Sequence, residues 1–398
     1  MKRIDFENGN IVSNILKAAL PMLVAQIMSL LYNIVDRVYI ARIPDVGTTA
    51  LGAVGLCFPI IVIITAFSNL FGTGGAPIFS IERGKGNHAK AGLLMNTSFT
   101  LLALCAVILM IAGLLFARPI LVLFGASDAG LAYAYPYLMI YLLGTFPSMA
   151  ATGMNPFINA QGYATTGMIS VIIGAITNLL LDPRFIFVFG LGIKGAAIAT
   201  VISQTLSAAF VLYFLHYKAE YRIRFLSKTE LAACGEDAKN IVSLGTAGFI
   251  MQLTNSLVTI CANNVLSVTG GDVYISVMTI ISSVRQMVET PIYAITEGSS
   301  PIISYNYGAR RPPKNTSGRY HHGCFSTDLY AAHLECDSGC TSLPDRHFQL
   351  GSGPDDRYRP RHETLFCCIY LHAAAICGPN NFQSPQQEEI CHLFLHTA

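Results

Sequence analysis

Uninterrupted apolar runs constrain this chain more than any motif does. Eight of them occur in the first 310 residues, over 11–41, 47–76, 90–117, 130–160, 163–189, 192–217, 239–268 and 272–307. Each reaches the about 20 residues a helix needs to cross a bilayer core of about 30 Å. Lipid offers the backbone no hydrogen-bond partners, so every run has to pair its amides and carbonyls internally, as a helix. The expected class is an all-α polytopic membrane protein. A soluble surface is excluded by the balance of 53% hydrophobic and 12% charged residues. The net charge is +2, and its Lys and Arg form no aromatic-laced basic stripe, which argues against a nucleic-acid partner. The opening Met1-Lys2-Arg3 resembles a signal peptide, but the run that follows is too long for one and reads as a retained first span.

Charge distribution suggests an orientation. Arg83, Lys85 and Lys90 follow the second span, and Lys218, Arg222, Arg224, Lys228 and Lys239 follow the sixth. Opposite-side connections hold Arg42, Arg118, Arg184 and Lys194. The excess of basic residues predicts a cytoplasmic N terminus.

The chain also repeats itself. Asn10-Ile11-Val12-Ser13 recurs as Asn240-Ile241-Val242-Ser243, and the same offset of 230 carries Asn33 onto Asn263. Gly74-x-x-Pro77-Ile78-x-Ser80-x-x-x-Gly84 recurs as Gly298-x-x-Pro301-Ile302-x-Ser304-x-x-x-Gly308 at an offset of 224. An even number of spans separates the copies, which predicts two parallel repeats about an axis along the membrane normal. The expected organisation is a first lobe over 1–230 with six spans, and the first two spans of a second lobe over 231–312.

From Pro313 onward the text changes. Seven of the eleven Cys and eight of the ten His fall in the last 86 residues, and sustained apolar runs stop. A zinc-binding extension built from Cys336, Cys340 and His347 is one reading, but Cys367-Cys368 and the scattered His do not complete a paired C-x₂₋₄-C…C/H-x₃₋₅-H arrangement. Shifting the codons forward by one nucleotide restores sense. His321-His322 must then become Ile or Thr followed by Met or Thr, and Gln386-Gln387-Glu388-Glu389 must become Asn or Ser followed by three Lys or Arg. Residues 313–398 are therefore read as a frameshifted, non-native tail that begins within a few codons of Pro312-Pro313.

Polar side chains inside apolar spans are costly and are functional candidates by default. Asn33 and Asp36 are three apart on one helix, behind Pro21, which frees backbone carbonyls earlier in the same span. Asn178 and Asp182 are four apart on another, and Thr200 adds a hydroxyl from a third. Converging oxygen ligands suit Na⁺, and a carboxylate in low dielectric suits proton carriage. Blander readings stay open: Asp182-Pro183 as a helix terminus, Asp36 paired with a basic residue, and Arg285 with Glu289 as a self-neutralising pair. Glu297, beside the repeated Gly element, either lines a cavity or caps a bundle contact. Gly72-Thr73-Gly74-Gly75 lacks the Gly-Lys-Ser/Thr of a phosphate loop and reads as close helix packing. Cys57, Cys105, Cys234 and Cys261 read as small apolar fillers.

With Pro21, Tyr32-Asn33-Ile34-Val35-Asp36, Asn178-Leu179-Leu180-Leu181-Asp182-Pro183 and Pro301-Ile302-Ile303-Ser304-Tyr305-Asn306-Tyr307-Gly308-Ala309, the sequence resembles the bacterial branch of the multidrug and toxic compound extrusion (MATE) family. Further matches are Arg83-Gly84-Lys85-Gly86 and Gly192-Ile193-Lys194-Gly195-Ala196-Ala197. The resemblance covers residues 1 to about 312. It implies a V-shaped, two-lobe helix bundle of twelve spans, of which about eight are present in frame. Such a protein would be a bacterial inner-membrane antiporter, monomeric, exporting small organic cations in exchange for Na⁺ or H⁺. The family's cation site maps onto Asp36, Asn178, Asp182 and Thr200, with Pro21, Tyr32, Asn33, Asn263 and Glu297 supporting it or lining the cavity. No cofactor is implied, and no metal beyond Na⁺. One departure is notable, because Glu297 and Ser299-Ser300 stand where relatives often carry Gln-Gly-x-Gln-Pro. As translated, the chain would lack the last four spans and is expected to be inactive.

Two rival functions fit the sequence less well. A lipid-linked oligosaccharide flippase needs basic cavity residues for the pyrophosphate, and intramembrane Arg is nearly absent. An intramembrane enzyme would carry His-Glu-x-x-His or Gly-x-Ser-x-Gly, and neither occurs in residues 1–312, so no enzyme is expected.

Overall fold

The computed structural model describes residues 3–7, 11–44, 46–124 and 128–309, without the side chains of 11, 12, 48, 129, 228, 231, 232 and 259–289. The tail from 313 and the side chain of Asn263 lie outside the described residues. All regular structure among them is helical: α1 (Ile11–Ala41), α2 (Gly47–Gly84), α3 (His88–Leu123), α4 (Asp128–Leu143), α5 (Thr145–Ala160), α6 (Ala164–Pro183), α7 (Ile193–Tyr213), α8 (Lys228–Ala233) and α9 (Gly235–Gly308). Wider π turns extend α6 through Arg184–Val188 and α7 through Phe214–Lys218.

Among the described residues, six helices are long and apolar enough to cross a membrane, where the sequence predicted eight spans. One difference lies at 130–160, expected as a single span but divided into α4 and α5, each of 16 residues. Pro147 is the cause. Its ring collides with the carbonyl four residues back, at Leu143, and its missing N–H leaves that carbonyl unbonded. The chain turns at Gly144, where Thr145 Oγ1 caps the carbonyl of Leu142 at 2.6 Å. A side chain at Gly144 would meet Val201 Cγ2 at 2.8 Å, so this corner is pressed against α7.

The other difference concerns 239–268 and 272–307. Both fall within α9, of 74 residues, and only its part up to Val258 enters the count of spans among the described residues. A straight helix of that length would extend about 110 Å. Yet both of its ends touch α2. An added Cβ on Gly74 would lie 2.4 Å from Ile241 O, and one on Gly84 would lie 2.0 Å from Tyr305 O. Those two points on α2 are about 15 Å apart along the helix axis, so α9 must curve back toward α2 between them.

Small residues set these approaches. Gly72 abuts the backbone of Gly153 on α5, Gly74 abuts α9, and Gly75 faces Ser98 and Phe157. Three neighbouring positions thus point at three neighbouring helices, which is the close packing expected of 72–75. Beneath them lies the core of α2, α3 and α5, with Phe79, Leu94, Met95 and Phe157 fully enclosed. Phe79 meets Phe157 edge to face at 5.7 Å. Leu104, Ile108, Leu115 and Leu123 instead point outward, as side chains do when lipid is the surroundings.

Candidate functional site

Three helices bring the polar intramembrane residues together. α1 packs on α6, and α6 on α7. Asp36 of α1 and Asp182 of α6 come within hydrogen-bonding reach of one another. One turn before Asp182, Asn178 donates from Nδ2 to Asp182 Oδ1 at 3.1 Å and to Thr200 Oγ1 of α7 at 3.4 Å. The Thr200 hydroxyl donates in turn to the carbonyl of Ala196 at 2.9 Å. Asn178 and Asp182 are buried at the end of α6, just before the π turn, while Arg184 next to them is exposed.

The cluster is rich in acceptors and poor in donors. Asp36 Oδ1, Asn178 Oδ1 and Asp182 Oδ2 are buried with no hydrogen-bond partner among the described residues. An orphaned buried acceptor costs about 1–3 kcal/mol, more when charged. Three acceptors converging from two helices form an arrangement completed by a proton or a cation, not by further protein.

Tyrosines wall the cluster. Tyr137 of α4 lies in the electrostatic neighbourhood of both carboxyls and stacks on Tyr141, centroids 6.3 Å apart. Tyr141 receives a hydrogen bond from Gln204 Nε2 at 3.3 Å. Neither tyrosine was singled out from the sequence, and nor was Gln204. Gln204 follows Thr200 by one turn and so shares its face, a signal that was available.

A cavity of about 520 Å³ adjoins the cluster across Tyr32 and Thr200, which line it. Its wall is largely apolar, with hydroxyls and amides set into it, Asn69, Asn155, Asn159 and Gln204 among them. Asn155 is held by bonds to Ser170 Oγ at 2.8 Å and to the carbonyl of Gly167 at 3.1 Å. Glu297 also lines the cavity.

Two expected residues behave differently. Asn33 is exposed, and its amide bonds the carbonyl of Ser29 at 2.8 Å, so it does not join Asp36. An intrahelical carbonyl one turn back satisfies the amide without any partner helix, which is why sharing a face with Asp36 was not enough. Pro21 lies inside an unbroken α1 and lines neither the cluster nor the cavity.

Comparisons with known proteins point the same way. Residues 21–183 match the family described as MatE. The multidrug export protein MepA of Staphylococcus haemolyticus (strain JCSC1435) is 26% identical over 305 residues, which cover 76% of this chain and 66% of that protein. MepA of Staphylococcus aureus (strain NCTC 8325 / PS 47) is 26% identical over 308 residues, covering 77% and 67%. The chain thus spans about two thirds of the length of these relatives. In fold it is similar to an outward-facing multidrug resistance MATE family transporter of the MOP superfamily, with a TM-score of 0.76 at 23% identity over 84% of this chain and 73% of that one. A MOP superfamily transporter from Pyrococcus furiosus Vc1 (DSM3638) gives the same TM-score, identity and coverage. The sequence motifs, the family match over residues 21–183 and the likeness in fold all point to the MATE family.

Proposed function

We propose that this protein is built as a secondary active antiporter of the bacterial plasma membrane, exporting small amphipathic organic cations in exchange for Na⁺ or H⁺. The observation that carries the reading is the trio of unpartnered buried oxygens on Asp36, Asn178 and Asp182. Two carboxyls in contact repel when both are charged, and either one shared proton or one cation relieves the repulsion. Na⁺ would take the two carboxylates, the Asn178 carbonyl and the Thr200 hydroxyl, a hard-oxygen set of the kind alkali and alkaline-earth ions prefer. Occupancy changes how tightly α1 sits on α6. A ligand shifts a conformational equilibrium only through unequal affinity for its states, and a site split between two helices meets that condition.

On this reading residues 1–230 form one lobe and 231–312 begin its counterpart, the basic connections lie in the cytoplasm, and the protein acts as a monomer. The names of the Staphylococcus relatives, multidrug export proteins, support export as the direction. A lipid pyrophosphate is a poor fit, because no Lys or Arg among the described residues lines the cavity. Residues 313–398 are proposed to be out-of-frame text, checked by resequencing the DNA at Pro312-Pro313; a chain translated as written is then expected not to transport.

The test is expression of a frame-restored version in a drug-sensitive bacterial host. Resistance to lipophilic cations should appear with the restored chain, and should be lost with Asp36→Asn or Asp182→Asn. Unchanged resistance in both variants would remove the carboxyls from the mechanism.

A further inference from the structure

The cavity and the ion cluster are separate places, and each has its own acid. Asp36 and Asp182 do not line the cavity, whereas Glu297 does. Among the described residues that line it, Glu297 carries the only formal charge.

Its placement follows from its neighbour. Gly298 brings α9 against α1 so closely that an added Cβ would lie 2.7 Å from Ala19 N. Gln26 lies two turns along α1 from Ala19, on the same face, and its Nε2 donates to Glu297 Oε2 at 3.2 Å. The carboxylate is therefore oriented by a neutral amide. No salt bridge reaches it among the described residues. Its side chain is exposed and opens on the cavity. An anionic group so placed lacks a counter-charge among the described residues, and the space beside it is bounded by Met22, Met168, Val171 and the ring of Tyr32. Apolar walls suit an apolar body, and an aromatic face adds attraction for a cationic centre.

We infer that Glu297 is the charge-recognising residue of the cavity, binding a monovalent amphipathic organic cation directly and apart from the ion-coupling carboxyls. This deepens the antiporter reading and rests on it for the class of substrate. One carboxylate matches one positive centre, so a monocation is favoured over a neutral or anionic molecule of the same shape. Gln26 also links the two places physically. It stands ten residues before Asp36 on α1, about 15 Å along the same helix. A cation that draws Glu297 away from Gln26 alters the α1 to α9 contact on the helix that also carries Asp36.

Binding, not transport, tests this, and the full chain as it stands can be used. Tetraphenylphosphonium and tetraphenylborate have nearly the same shape and opposite charge, and their binding to the purified protein in lipid nanodiscs can be measured by titration. The expected preference for the phosphonium is about tenfold or more, the factor worth about 1.4 kcal/mol. Glu297→Gln, which keeps the size and a hydrogen-bonding partner for Gln26, should abolish that preference. Glu297→Asp should retain part of it, and covers the case in which the Gln variant folds poorly. Asp36→Asn with Asp182→Asn should leave it in place. The inference is overturned if Glu297→Gln keeps the charge preference, if the double Asn variant removes it, or if the unaltered protein shows none. Failure of the antiporter reading looks different: resistance indifferent to Asp36 and Asp182 in the frame-restored chain, with charge-selective binding intact.

Discussion

Asn178 Nδ2 stands 3.1 Å from Asp182 Oδ1 and 3.4 Å from the Thr200 hydroxyl, so one amide group holds two polar side chains of the cluster in position across α6 and α7. The amide's own Oδ1 remains unpartnered. Its geometry is that of an ion ligand held ready by its neighbours.

Ion binding should therefore show as stabilisation. A ligand at about one hundred times its Kd adds about 2.7 kcal/mol to stability. Thermal unfolding of the purified protein should shift upward with Na⁺ or, failing that, depend on pH across the range in which the carboxyl pair takes up a proton. In Asp36→Asn and Asp182→Asn the apparent affinity is expected to fall about tenfold or more. Asn178→Ala should weaken it by less, since it removes a neutral ligand and an orienting bond. Identical unfolding curves for all four proteins would rule out an ion site here.

Close backbone contact makes Gly84 and Gly308 intolerant positions. An added Cβ on Gly84 would lie 2.0 Å from Tyr305 O, and one on Gly308 would lie 2.0 Å from Ile81 O. The offset of 224 that relates the two glycines also relates Ile81 to Tyr305, so the contact is reciprocal. Gly84→Ala and Gly308→Ala should each cost about 1–3 kcal/mol, the usual penalty for overpacking. Gly52 on the same α2 has nothing within 4 Å of its added Cβ. Gly52→Ala should instead be neutral or gain up to about 1 kcal/mol from helix propensity. Unfolding by heat in detergent compares the three variants, and equal effects would remove the packing argument.

Arg83 anchors the segment before α1. It is buried, donates from Nη1 to the carbonyl of Ala160 at 2.7 Å, and lies over the rings of Phe6 and Tyr305 at 5.4 Å and 5.2 Å. Arg83→Met should leave that carbonyl unpaired, at about 1–3 kcal/mol. Lys cannot reproduce the planar stacking between two rings, so Arg83→Lys should not restore it. Hydrogen exchange at residues 4–7 should rise in both variants, and unchanged protection would mean that Phe6 is held by other contacts.

The short helix α8 offers a pH prediction outside the membrane. Glu230 is held down to a pKa of about 2 from 4.5, first by the side-chain bond from Arg224, then by the backbone and hydroxyl of Ser227. A depressed carboxylate contributes fully above its unfolded value and loses that contribution as pH falls through its folded one. The Ser227 capping box and the Arg224 pair, 2.6 Å long, should thus persist at pH 5 and be lost between about 4.5 and about 2. Chemical-shift titration of Glu230 would check this; a midpoint near 4.5 would mean that the Arg224 pair does not form in solution.

Much of this was legible in one dimension. Asp36, Asn178, Asp182 and Thr200 were named from cost and kinship, and geometry joins them, because few polar residues lie mid-span without reason. Asn33 misled, since helical spacing says which residues share a face but not which can satisfy themselves on their own backbone. Tyr137, Tyr141 and Gln204 were passed over because aromatics and amides are unremarkable until a carboxyl is seen beside them. Pro147 did announce the break at Gly144, four residues downstream of the carbonyl it displaces, but the apolar run around it masked the signal.

What the sequence by itself determined is local: apolar runs surrounded by lipid must pair their backbones internally, so the helices follow from composition and length. What only the tertiary structure decided is which faces meet. Glycines at 72, 74, 84, 298 and 308 let backbones approach to contact, and packing of that kind joins residues hundreds of positions apart. No helical period encodes that Gln26 meets Glu297, or that Asp36 meets Asp182; close packing between helices settles both.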